Sequence, residues 1–345
     1  MAEGSIRISS FEIKTASRRE VAAAHALTTR LQAEAWPEDP PRALADWEGE
    51  LRTIPPYWAV QRWVAWRGEE AVATATTYFY NTLQNRHIAD LDIAVLPEHR
   101  RRGIGKELLA RLVTACEEGG KTLLTFGTDS ALPAGRAFAA RVGARAGMVS
   151  ATNQLDLASL DRALMERWCH EGPRDLFSLG WWIGPYPEEE LTAICELKDV
   201  MNTAPRDELE VEDWTWTPEM VRQSDAALAA RKRERWTLYA RHRASGELAG
   251  FTKVFWDPAQ PAALWQGDTG VLPKYRGHGL GKWLKATMIA RVLAERPTVV
   301  RVRTANASSN VPMLKINHAM GFRLYKEWTI WQVEVASVRA YLGAG

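Results

Sequence analysis

A repeat constrains this chain more than any other feature of its sequence. The segment Arg276-x-x-Gly279-x-Gly281-Lys282 recurs as Arg100-x-x-Gly103-x-Gly105-Lys106, at a constant offset of 176 residues. The flanks keep register: Val271 falls on Val95, Pro273 on Pro97 and Asp268 on Asp92. Each copy leads into helical spacing, with Ile104, Leu108, Leu112 and Cys116 on one face and Leu280, Leu284, Met288 and Val292 on the other copy's face. A chain of 345 residues can bury two cores. The repeat therefore predicts two copies of one α/β unit in tandem.

The repeated turn reads as the end of a strand, a proline stop, a basic glycine-rich loop and the first turn of a helix. In the second copy, glycines at 277, 279 and 281 let backbone approach a ligand closely. The N–H groups opening the helix at Leu280 point outward, and the helix dipole favours an anion there. Arg276 and Lys282 add charge, and His278 stands inside the loop either as a phosphate donor or as a plain exposed histidine. This is a pyrophosphate cradle. A dinucleotide fingerprint would need glycine at Lys282, and a P-loop would need Gly-Lys-Ser/Thr; neither fits. In the first copy Arg101 replaces Gly277.

Along the chain, alternation and periodicity predict a strand at 6–14, helices at 18–35 and 43–52, a hairpin over 63–80 and a strand at 88–96. Further strands are expected at 122–128 and 298–304, each followed by a helix ending at Gly143 or Gly321-Phe322. A strand at 148–157 closes the first half in this reading. The second half opens with a strand at 175–183 and a helix at 187–201. The expected division is an N-terminal domain at 1–160, a linker at 161–174 and a C-terminal domain at 175–345.

Composition excludes several function classes. A net charge of +2 is too balanced to suggest a nucleic-acid or membrane partner. The opening Met-Ala-Glu-Gly-Ser-Ile-Arg run lacks the apolar core of a signal peptide, and no apolar run reaches membrane-span length. Three widely spaced cysteines argue for a reducing cytoplasm. Seven scattered histidines form no metal-ligand pattern, so no metal is expected. Nothing in the residues sets an oligomeric state.

The strand-turn-helix carrying Arg276-x-x-Gly279-x-Gly281 resembles the acyl-CoA signature of the GNAT superfamily of N-acyltransferases. Asn310 and Gly321-Phe322, eleven residues apart, resemble the second helix of such domains. The run from Thr304 to Asn317 is similar to tandem GNAT proteins of actinobacterial type, a group related to mycothiol synthase. The resemblance implies two tandem GNAT domains of mixed α/β class, each a mostly antiparallel sheet flanked by helices. It implies acetyl-CoA as co-substrate and a small-molecule amine as acceptor, attacking the thioester directly. Val271, Arg276, Gly277, His278, Gly279, Leu280, Gly281, Lys282 and Asn310 would hold the CoA moiety. Val95, Arg100, Arg101, Gly103 and Gly105 are the counterparts. The first half departs from the family at its second helix, with Leu132 for the Asn and Gly143-Ala144 for the Gly-Phe, so the C-terminal half is expected to be catalytic.

For chemistry, the resemblance makes the backbone N–H of Val271 the oxyanion donor. Asp268, three residues earlier, is the candidate general base, against a plain solvated carboxylate; Asp92 is its counterpart. The family's usual tyrosine acid falls on Asn317, whose amide can hydrogen-bond a sulfur but cannot protonate it. Tyr325 and His318 are alternatives, and Ala139 holds that position in the first half. Trp181, Trp182, Trp214 and Trp216 are either acceptor-pocket walls or core. The acidic run 207–213 either attracts a basic amine or is a solvated loop, and the basic run 231–235 is expected to be the C-terminal end of a helix. Two other readings stay open: both halves active on a diamine or a longer acyl-CoA, or a silent CoA-binding sensor or scaffold.

Overall fold

The computed structural model describes residues Ser5–Gly343; the N-terminal run at 1–4 lies outside them. The chain forms two compact units, and neither is continuous in sequence. The first contains the described residues up to Met148, the short segment Glu208–Glu212, and the chain from Trp328 onward. The second contains Val149–Asp207 and Asp213–Glu327.

In the first unit the strands are β1 (Ile6–Ser10), β2 (Trp58–Arg67), β3 (Glu70–Tyr80), β4 (Ile88–Val95) and β5 (Leu123–Asp129). The distal part of β12 (Arg323–Glu334) lies beside β5, with Trp328–Glu334 antiparallel to Leu123–Asp129. Among the described residues of this unit, β4 and β5 are the pair that runs parallel, over Ile88–Leu91 against Leu123–Phe126. Alternate residues of β2 face opposite sides. Val64 and Trp66 join the core under α1 (Arg18–Ala35) and α2 (Leu44–Arg52). Ala65 joins the core under α3 (Ile104–Glu118), where Leu108, Leu112 and Cys116 are buried as their spacing predicts. Helix α4 (Pro133–Arg141) follows β5, and α10 (Val335–Gly343) follows β12. Ser17 caps α1 through a reciprocal Ser17–Glu20 capping box.

The second unit repeats this plan. Its strands are β6 (Arg145–Asp156), β7 (Phe177–Ile183), β8 (Glu234–His242), β9 (Leu248–Trp256), β10 (Ala263–Val271) and β11 (Arg301–Ala307), in the order β6-β11-β10-β9-β8-β7. Helices α5 (Arg162–His170), α8 (Leu280–Glu295) and α9 (Val311–Met320) pack on one face around Leu284, Met288, Val302 and Phe322. Helices α6 (Leu191–Lys198) and α7 (Pro218–Ala230) cover the other face through Ile194, Val221 and Phe251. The sheets are therefore mixed and mostly antiparallel, flanked by helices, as the resemblance implies.

Three local expectations change. The strand expected to close the first half exists as β6, but Ser150–Asp156 pairs with Arg301–Ala307 of β11, in the second unit. The helix expected over 187–201 is split into α6 between 3₁₀ turns at Glu188–Glu190 and Asp199–Thr203. The basic run 231–235, expected to end a helix, instead leaves α7 at Ala230 and enters β8. There Arg235 is buried against Asp225, because a charge taken out of water needs a counter-ion.

The acidic run also acquires a place. Within the first unit Gln332 accepts the Glu210 N–H at 2.7 Å and donates to the Glu208 carbonyl at 2.9 Å. Asn85 accepts the Glu212 N–H at 2.8 Å, and its own N–H donates to the Glu212 carboxylate at 2.6 Å. Glu210 pairs with Arg145. Glu210 and Glu212 are thus used in fastening a strap, and Asp213 is paired with Arg206 in the second unit.

Candidate functional site

In the second unit, β10 pairs with β9 in one register up to Gln266–Val254 and in a shifted register from Thr269–Thr252 onward. Gly267 and Asp268 together oppose Lys253, which is a β-bulge. On its other edge β10 pairs with β11 only over Ala263–Trp265. The two parallel strands part at the bulge. Leu272 N–H donates to the Ala249 carbonyl at 2.9 Å, so alternation turns the Val271 N–H away from β9, to the side where β11 has departed.

Below the splay, the glycine turn is held by its own arginine. Arg276 Nε donates to the Val271 carbonyl at 3.1 Å, and its Nη2 to the Thr203 hydroxyl at 2.6 Å. Gly277 and Gly279 take positive φ, 84° and 78°, and a Cβ built on either meets no heavy atom within 4 Å. The hollow before α8 is therefore open, and Arg276, His278 and Lys282 are exposed around it. Leu280 is buried and Gly281 lies close to Ile316 of α9, which sets the helix against its neighbour. His278 packs beside Phe177, with ring centroids 5.8 Å apart. Such a concavity of backbone N–H groups and exposed cations fits a pyrophosphate.

Asp268 Oδ2 lies 2.5 Å from Lys253 Nζ. The carboxylate is 38% exposed although protein crowds it. Burial works to raise its pKa; the Lys253 ammonium, by charge and hydrogen bond, and Lys198 behind it outweigh burial and hold it below the usual carboxylate range. Gln266, which opens the bulge, donates to Thr252, but its buried Oε1 has no partner.

Asn310 caps α9 by accepting from Met313 N–H at 3.4 Å, a long bond for a cap. Asn317 is fully buried, and its Nδ2 donates to Asn306 Oδ1 at 2.9 Å, leaving Asn317 Oδ1 orphaned. Turning both amides over would orphan the Asn317 N–H instead. His318 is exposed, and Tyr325 stacks under the Arg303 guanidinium at 4.6 Å. Trp182 is core, stacked on Tyr239 at 4.0 Å. Trp181 packs against Arg291. Trp214 is fastened to Asn202 by two hydrogen bonds of 2.9 Å and lies edge-on to Trp216.

The counterpart turn in the first unit is built differently. Arg100 donates to the Val95 carbonyl at 2.9 Å, as Arg276 does to Val271, but its guanidinium is bidentate to Glu34 at 2.9 and 2.5 Å. Arg101 takes φ 63° where the other copy has glycine; Gly103 takes φ 85° and, like Gly105, faces open space. Strand β4 pairs with β3 without a register shift, so Asp92 sits on an unbulged strand. Leu132 begins α4 with no side-chain cap, and Ala139 is fully buried.

Lys253, Lys198 and Glu34 carried no sequence signal. A lysine on an alternating strand, a lysine ending an apolar helix and a glutamate near a helix end are ordinary surface choices until partners are known. Among the described residues no cluster of His, Cys, Asp or Glu could hold a metal ion. No described helix is long and apolar enough to cross a membrane.

A sequence model of the acetyltransferase (GNAT) family matches residues 21–144 and again 192–322. A solved tandem GNAT protein from the clavulanic acid biosynthesis pathway, without AcCoA, is 28% identical over 96% of this chain and 99% of its own, with a TM-score of 0.78. A GCN5-related N-acetyltransferase from Sphaerobacter thermophilus shares the fold at 14% identity, covering 96% of each chain with a TM-score of 0.68. No curated protein sequence matches the chain.

Proposed function

Because this chain belongs to the GNAT acetyltransferase family and carries its acyl-transfer fold twice, we propose that the C-terminal half, residues 175–345, transfers an acetyl group from acetyl-CoA to a small-molecule amine. One observation carries the reading: among the described residues β10 alone combines a bulge, a splay from its parallel neighbour and an open glycine turn. The solved tandem relative, seen in a form without AcCoA, favours acetyl-CoA as donor.

In this reading Arg276, Gly277, His278, Gly279, Leu280, Gly281 and Lys282 hold the pyrophosphate, and Asn310 holds the pantetheine arm. Acetyl-CoA supplies an activated thioester. The Val271 N–H, turned into the splay, stabilises the oxyanion formed when the amine attacks; one such donor contributes about 3 kcal/mol. Asp268 draws the ammonium form of the acceptor toward the bulge. Asn317, fully buried and already donating to Asn306, is not free to meet the departing sulfur; a thiol pKa near 8.5 lets the sulfur leave without a strong acid. Glu34, by neutralising Arg100, leaves the first cradle a weaker anion site than the second.

The test is thiol release from acetyl-CoA across a panel of small primary amines. Arg276→Ala and Gly279→Trp should abolish turnover, while Arg100→Ala and Gly103→Trp leave it within a few-fold. The opposite pattern overturns the assignment, and CoA binding without turnover on any amine favours a silent CoA-binding protein.

A further inference from the structure

Lys198 ends α6 with a side chain only 6% exposed. Its Nζ stands 3.4 Å from the centroid of the Trp216 ring, so among the described residues it meets an aromatic face and not a carboxylate. The 3₁₀ turn that continues from it packs on β10: a Cβ on Gly270 would come within 2.5 Å of Val200 Cγ1. Lys198 is thereby carried to the stretch of β10 that bears Asp268 and the Val271 N–H.

The charged groups that act on Lys198 through space are Lys253 on β9, Asp268 on β10, Arg235 on β8, Asp225 on α7 and its chain neighbour Asp199. Each of these carboxylates is already engaged, Asp268 by Lys253, Asp225 by Arg235 and Asp199 by the Trp216 N–H. Burial therefore decides: together with the Lys253 charge it pushes the Lys198 pKa well below that of an ordinary lysine. Asp268 moves the other way, held down by its ion pair, and is a poor base for that reason.

We propose that Lys198 is the proton acceptor for the amine substrate, and that Lys253 is a positioning residue that keeps Asp268 an anion. The proposal rests on catalysis in the C-terminal half. The incoming ammonium gives one proton to the Lys198 amine, and its freed lone pair forms the C–N bond at the thioester carbonyl. Collapse breaks the C–S bond; the nitrogen's second proton goes to the thiolate, and Lys198 returns its proton to solvent. The Trp216 face, electron-rich toward a cation, steadies the Lys198 ammonium between these events.

Two probe nucleophiles test this: phenethylamine, an ammonium at neutral pH, and hydroxylamine, which is uncharged there. Lys198→Met should lower thiol release with phenethylamine by about 10²–10⁴-fold, remove the acidic limb of its kcat/KM profile, and spare hydroxylamine. Lys198→Arg, charged throughout, should not rescue phenethylamine. Equal loss with both nucleophiles, or an unchanged pH profile, overturns the proposal and leaves a structural lysine. A ¹³C NMR titration of Lys198, assigned by its loss in Lys198→Met, needs no acceptor. Titration alongside the surface lysines overturns the proposal even where neither probe is turned over, an outcome that by itself counts against the amine-acceptor reading.

Discussion

Lys253 Nζ lies 2.5 Å from Asp268 Oδ2, across the bulge of β10. The pair keeps a carboxylate ionised where burial alone would raise its pKa. A carboxyl with a depressed folded pKa contributes stability above its unfolded pKa, lost as pH falls through the folded one. In Lys253→Met burial governs Asp268, its pKa rises, and that loss moves to higher pH. The expected outcome is an acid-unfolding midpoint, followed by circular dichroism, that shifts to higher pH than in the wild type.

Glu34 and Arg100 give a second test. Both side chains are about a quarter exposed, 24% and 27%, so Glu34→Gln should cost at most about 1 kcal/mol of stability. It also returns a full positive charge to the first glycine turn. Calorimetric titration with CoA should then rise from one site per chain toward two; an unchanged single site would separate the silence of that turn from Glu34.

Arg101 adopts φ 63°, the left-handed region that costs a non-glycine residue roughly 1–2 kcal/mol. Gly277, its counterpart at 84°, avoids that strain. Arg101→Gly should therefore stabilise the protein by about 1 kcal/mol, part of the relief being offset by glycine's greater chain entropy. Gly277→Ala should destabilise by a similar amount without any clash, since its Cβ would enter open space. Urea midpoints at constant slope check both.

Lys285 lies in α8 at 1% exposure, and burial pushes its ammonium down to about 7. Its folded pKa lies below its unfolded value, so the unfolded chain binds more protons between the two. Stability should rise with pH from about 7 toward about 10, by about 1.4 kcal/mol per unit from this group. Lys285→Met removes that rise and should stabilise the protein at pH 7 and below. Denaturant midpoints of both proteins at pH 7 and pH 9 measure the difference in slope.

Gln332 is fully buried and holds the strap Glu208–Glu212 by two hydrogen bonds. Gln332→Ala leaves the Glu210 N–H and the Glu208 carbonyl unpaired, a cost of about 2 kcal/mol. Proteolytic cleavage between residues 207 and 213 should accelerate in this variant before the rest of the chain is cut.

Much of this was legible in the chain. The offset of 176 residues announced the duplication. Glycines at 277 and 279 announced the turn, and the four-residue spacing from Leu280 to Val292 announced the buried face of α8, because local geometry and periodicity are written into consecutive residues. Less legible were the bulge at Gly267-Asp268, which is a relation between two strands, and the fate of the acidic run. Charge suggested a solvated loop or an amine lure; tertiary hydrogen bonds to Asn85 and Gln332 made it a fastening.

The sequence by itself determined that there are two α/β units, where each glycine turn lies, and which face of each helix is buried. Only the tertiary structure decided which strand closes which unit. Met148–Leu157 alternates, and alternation specifies which side chains face a core, not which neighbour supplies the hydrogen bonds. In space β6 lies against β11 and the end of β12 against β5. Pairing of charges follows the same logic. Asp268 and Asp92 occupy one position in the repeat, and so do Arg276 and Arg100. A lysine fifteen residues before Asp268 and a glutamate on α1 near Arg100 make the two turns chemically different, because an ion pair depends on distance through space and is invisible in separation along the chain.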